Sequence, residues 1–148
     1  TYAWDWPSGS DRTVSANVAG SNIAGNAYTG TDSITFTIDN TDTTVTLTDT
    51  DSENIVKDSD TVTMTATYNE DMATAPTIRI GSLVTDVIMT ATSSATWTYA
   101  CVVYSAGDAN EPATVDGASC RGNADTVTDS ITFTIDNTPP TVYLTHSD

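Results

Sequence analysis

The ten residues DSITFTIDNT occur twice in this chain, beginning at Asp32 and again at Asp129, and they set an internal period of 97 residues. Shifted by that period, 28 of the 51 overlapping positions are identical without a gap. TYA at Thr1 falls on TYA at Thr98, GNA at Gly25 on GNA at Gly122, and TVTLTDTD at Thr44 on TVYLTHSD at Thr141. The period divides the chain into the last part of one unit (residues 1–40), one complete unit (residues 41–137) and the first strand of a further unit (residues 138–148). A unit of this size suits one small domain with a single core. The partial units lack the strands for a core of their own. They are expected to be completed either by further repeats of the same protein or by strand addition from neighbouring chains.

Within the unit, apolar residues recur with period two and helical periodicity is nearly absent. TVTLTD sets Val45 and Leu47 on one face, TVTMTATY sets Val62, Met64 and Ala66, and TIRIG sets Ile78 and Ile80. VTDVIMTAT reads as a strand bulged near Ile88 and Met89. ATWTYACVVY aligns Trp97, Tyr99, Cys101 and Val103, ATVDGAS carries Val115, and DSITFTIDN closes the unit with Ile131, Phe133 and Ile135 facing inward. Threonine or aspartate occupies most of the alternate positions, where β-branching suits a pleated surface. Seven short strands at about ten-residue spacing predict an all-β chain built as an immunoglobulin-like β-sandwich. The connections at residues 40–44 and 137–141 are expected to be equivalent turns between units, the second stiffened by Pro139 and Pro140.

The stretches VSANVAGSNIAGNAYTGTDSITFTIDN and FTIDNTPPTV resemble the bacterial immunoglobulin-like domains strung in tandem along large extracellular surface proteins and adhesins. An AGN-type turn precedes the last strand, and a proline-containing connection opens the next unit. The resemblance implies a stalk or spacer at the cell surface or in a filament, assembled from neighbouring repeats. It also implies ligand binding at another part of the protein. The second copy departs from the first where GASCRGNAD replaces GSNIAGNAY.

Charge narrows the partners. Acidic residues outnumber basic ones 20 to 4, for a net charge of −16, and Arg12, Lys57, Arg79 and Arg121 are the only lysines and arginines. A phosphate-neutralising patch is therefore missing, and neither nucleic acid nor an anionic membrane is an expected partner. No apolar run approaches the length of a membrane span.

Cys101 and Cys120 align with Trp4 and Ile23 of the first copy. Joint replacement of two bulky apolar residues by cysteine points to a disulfide. A closed loop of about 20 residues stabilises by about 3 kcal/mol in the chain-entropy model, and the bond implies an oxidising, extracytoplasmic compartment. Two buried free thiols are the alternative.

His146 is the only histidine and aligns with Asp49, so histidine-based catalysis has no repeated basis and the chain is not expected to be an enzyme. The strongest constellation is DTDSENIVKDSD, with Asp49, Asp51, Glu53, Asp58 and Asp60 in one acidic loop whose oxygens suit calcium. Asp39, Asn40 and Asp42, at the junction, could share such an ion with the loop. Solvated acids without an ion are the alternative. A ligand-binding role would draw on a glycan platform at Trp6 or on the segment from Asp108 to Pro112.

Overall fold

The computed structural model describes residues 10–30, 32–104, 107–120, 125–127 (backbone alone) and 129–146. The chain forms two compact units, Thr1–Thr41 and Asp42–Asp148. Among the described residues all regular structure is β-strand.

In the first unit, β1 (Arg12–Asn17) and β2 (Ser33–Ile38) form an antiparallel pair. Arg12 lies opposite Ile38 and Asn17 opposite Ser33. The turn before β2 forms because Gly25 takes φ +84, a conformation that disfavours any side chain, while its N–H donates to Asn22 O at 2.9 Å. The apolar residues of β2 are not enclosed: Ile34 is 64% and Phe36 39% exposed.

The second unit contains β3 (Thr43–Asp49), β4 (Ile55–Val56), β5 (Thr61–Tyr68), β6 (Thr77–Ile80), β7 (Val84–Ile88), β8 (Thr90–Ala91), β9 (Thr96–Val102), β10 (Ala109–Asp116), β11 (Asp125–Val127) and β12 (Ser130–Ile135). They form two five-stranded sheets, ordered β4-β12-β10-β6-β7 and β11-β3-β5-β9-β8. The apolar alternates of both sheets feed one core, an arrangement compatible with a β-sandwich. Val45, Leu47, Met64 and Ala66 come from one sheet, and Ile78, Ile80, Phe133 and Ile135 from the other, all buried. These are inward positions read from period two. Trp97 and Tyr99 share the inward face of β9 with Cys101 but are only partly buried, packing against the edge of the core.

Four local expectations change. First, the acidic segment at residues 49–60 is not a single loop, because β4 forms within it and pairs parallel with β12, Ile55 opposite Thr134 and Val56 opposite Ile135. Val56 is buried, so its apolar side chain draws the segment onto the sheet edge. Second, the expected bulge near Ile88 and Met89 is a change of sheet: β7 lies in one sheet, β8 in the other, and buried Met89 between them donates its N–H to Pro76 O at 3.0 Å. The bulge itself lies earlier, where the β6–β7 register shifts between Ile78 and Ile80 and Asp86 takes φ 48. Third, β10 starts at Ala109 and runs through Pro112. Pro112 is tolerated because pairing with β6 begins only at Ala113, and its carbonyl accepts the Gly81 N–H beyond the end of that strand. Fourth, Thr43 and Thr44 already belong to β3, so the first connection ends at Asp42, while residues 137–141 contain no strand.

Candidate functional site

The acidic residues gather at turns, and the structure gives most of them local work. Asp49 Oδ1 accepts the Asp51 N–H at 2.7 Å, and Asp51 Oδ1 accepts the Glu53 N–H at 3.0 Å. Asp60 accepts the Lys57 backbone N–H at 3.0 Å through Oδ2 and the Lys57 ammonium at 2.8 Å through Oδ1. That ammonium holds the Asp60 carboxyl below its ordinary range, and Asp60 in turn raises the Lys57 amine. The pair is exposed and screened by water, so its net stabilisation is small. Asp58 donates its backbone N–H to Asn137 Oδ1 at 2.7 Å. The Asp49, Asp51 and Asp60 contacts to backbone N–H groups two or three residues away are turn caps of the Asx kind, whereas the Asp58–Asn137 bond joins distant segments.

Among the described residues, no three His, Cys, Asp or Glu side chains lie close enough to share a metal ion. The five acids expected to converge are divided by β4, with Asp49, Asp51 and Glu53 before it and Asp58 and Asp60 after it. Asp39 belongs to the first unit, where its Oδ1 accepts the Thr41 N–H at 3.1 Å. Asp42 opens the second unit, and its carbonyl accepts from Asn69 Nδ2 at 3.1 Å. A shallow polar groove of about 310 Å³ beside the acidic turn is lined by Thr50, Asp51, Asp60 and Thr61 over Val56 and Val62.

The cysteines do not pair. Cys101 is a buried free thiol in β9 opposite Val62, and Cys120 is an exposed free thiol whose N–H donates to Asp71 O. The reason is topological. Asp71 follows the C-terminal end of β5 whereas Val62 lies at its N-terminal end, a separation of about 20 Å at strand rise. Disulfide geometry requires Cα atoms within about 7 Å. Burial pushes the Cys101 thiol up, whereas Cys120 faces water. Thiol labelling of the native protein is therefore expected to modify Cys120 within minutes and Cys101 only after denaturation. Equal protection of both thiols against labelling, lost on reduction, would contradict this geometry.

A contact that sequence reading missed lies at the end of β12. Asp108, just before β10, accepts the Asn137 N–H at 2.7 Å through Oδ1 and the Thr138 hydroxyl at 2.8 Å through Oδ2. These donors, the Asn137 amide foremost, hold the Asp108 carboxyl below its ordinary range. Because the folded value is depressed, the contribution is present above the usual carboxyl range and fades as pH falls through the folded value. One period earlier, Asp11 accepts the Asn40 N–H at 2.7 Å and also bonds the Thr41 hydroxyl. The signal was in the sequence: across residues 4–13 and 101–110 the two copies agree only at Ser8/Ser105 and Asp11/Asp108.

Trp6 and Arg121 lie outside the described residues. In the segment from Asp108 to Pro112, Asn110 Oδ1 accepts the Thr134 hydroxyl at 3.1 Å. Asn110 is exposed, whereas Glu111 is turned inward and buried. Arg79 is paired with Asp86 at 2.7 Å on the outer face of its sheet. Among the described residues no helix is long and apolar enough to cross a membrane. Neither a family model, a curated protein nor a solved structure matches the chain.

Proposed function

We propose that this chain is a segment of a tandem array of immunoglobulin-like domains that acts as a stalk or spacer in an extracellular surface or filament protein. The observation that carries the reading is the agreement between letters and pairing. The β1–β2 register, Arg12 opposite Ile38 through Asn17 opposite Ser33, recurs 97 residues later as Ala109 opposite Ile135 through Thr114 opposite Ser130. The order of strands in the second unit supports the immunoglobulin-like assignment. β3, β5 and β9 are neighbours in one sheet, β12, β10 and β6 in the other, and β4 runs parallel to β12 at an edge. A threonine- and aspartate-rich exterior and a charge of −16 favour an extended, self-repelling and soluble array over a compact assembly.

A spacer of this kind bears load as a series of equal units. Pulling the repeat-containing protein by single-molecule force spectroscopy is expected to give sawtooth peaks separated by a contour length of about 30 nm, the extension released when one 97-residue unit unfolds. A single non-repeating event, or increments unrelated to the period, would refute the array.

A further inference from the structure

The chain leaving β12 is clasped from two sides. Asp108, from the segment before β10, takes the N–H of Asn137 and the hydroxyl of Thr138. Asn137 in turn accepts the Asp58 N–H through its own side chain, tying the same residue to the turn after β4. Asp136 adds its backbone N–H to Val56 O at 2.9 Å and its Oδ1 to the Thr138 N–H at 3.0 Å. Two segments far apart in sequence, before β10 and after β4, thus meet on two residues that belong to no strand.

We propose that Asp108 is a latch that sets where the folded sheet ends mechanically: it fastens Asn137 and Thr138, the second and third residues beyond β12, to the domain, so that the hinge of the connection begins after Thr138 rather than at Ile135. The connection continues as Pro139 and Pro140, which cannot donate backbone hydrogen bonds, so Asn137 and Thr138 are the last positions before Thr141 at which the exiting backbone can donate one. A carboxylate suits the task because its two oxygens can accept from adjacent residues at once. Asp11 makes the equivalent pair of contacts to Asn40 and Thr41. The latch aspartate persists where the sequence around it has changed almost completely, as a part with a fixed mechanical role would. The inference concerns the exit of the chain from β12 and stands on these contacts alone, independently of the stalk reading.

Amide hydrogen exchange measured by NMR on the whole chain tests it. In D108A the Asn137 amide is expected to exchange at least about 10-fold faster, and the Thr141 and Val142 amides to gain nanosecond mobility, with Ile78 and Ile80 unchanged. D108N retains one acceptor oxygen and nearly the same shape, and should release Thr138 or Asn137 only in part. T138V, which removes only the hydroxyl donor, should loosen the exit without unfolding the domain. D11A should accelerate Asn40 and leave Asn137 alone. Unchanged exchange at Asn137 in D108A and D108N overturns the latch. So does acceleration spread evenly over Ile78, Ile80 and Asn137, which would mean that Asp108 serves general stability instead. Should D108A fail to fold, D108N and T138V decide by the same criteria.

Discussion

Phe133→Ala is expected to lower the unfolding free energy by about 3–5 kcal/mol, while Phe36→Ala in the same chain costs about 1 kcal/mol or less. The two phenylalanines sit in identical ten-residue contexts, DSITFTIDNT, so local propensity is the same at both. Their surroundings differ. Phe133 is 4% exposed and faces a core closed by the opposite sheet, whereas Phe36 is 39% exposed on β2. Truncating the first removes buried surface and leaves a cavity; truncating the second removes surface that water already reaches. Denaturant unfolding of the two variants, compared through their midpoints at constant m-value, measures the difference. Equal losses would mean that β2 is buried in solution as fully as β12.

The second large effect is expected at Gly81. This residue joins β6 to β7 at φ +40, and a Cβ there would overlap Glu111 Oε2. Glu111 is 7% exposed, and its carboxylate accepts the Ser82 N–H and the Ser82 hydroxyl, each at 2.6 Å. Gly81→Ala therefore combines left-handed strain of about 1–2 kcal/mol with displacement of a buried, hydrogen-bonded carboxylate, another 1–3 kcal/mol or so. A total loss of about 2–5 kcal/mol follows from those contributions. Val14 occupies the position of Glu111 in the first copy, so E111V is the natural partner substitution. In a double-mutant cycle the loss caused by G81A should shrink by at least 1 kcal/mol or so in the E111V background, since the obstructing oxygen is gone. Strict additivity would place the whole cost in the backbone.

How much of this could be read beforehand depends on whether a feature is local. Alternation is local: TVTMTATY has one apolar face whatever it pairs with, and Val62, Met64 and Ala66 are buried as their spacing requires. The same holds for Ile78 with Ile80 and for Phe133 with Ile135. The period of 97 is also a property of the letters alone, and with it the equivalence of Asp11 and Asp108. Pairing across the fold is not local. Nothing in DTDSENIVKDSD announces that Ile55 and Val56 will add to the edge of β12, yet that short pairing divides the acids that looked like one loop. The Trp4/Ile23 to Cys101/Cys120 exchange suggested contact because both positions changed together, but β5 and β9 run the length of the sheet between them. Even identical letters part company, Ile34 being 64% exposed while its counterpart Ile131 packs against the core. A strand's inward face follows from its own side chains, because successive residues must point to opposite sides of a pleat. Which strand lies beside it, which loop is pinned and which repeat is enclosed follow from the apolar surface that distant segments bring to the same place, and that only the tertiary structure decides.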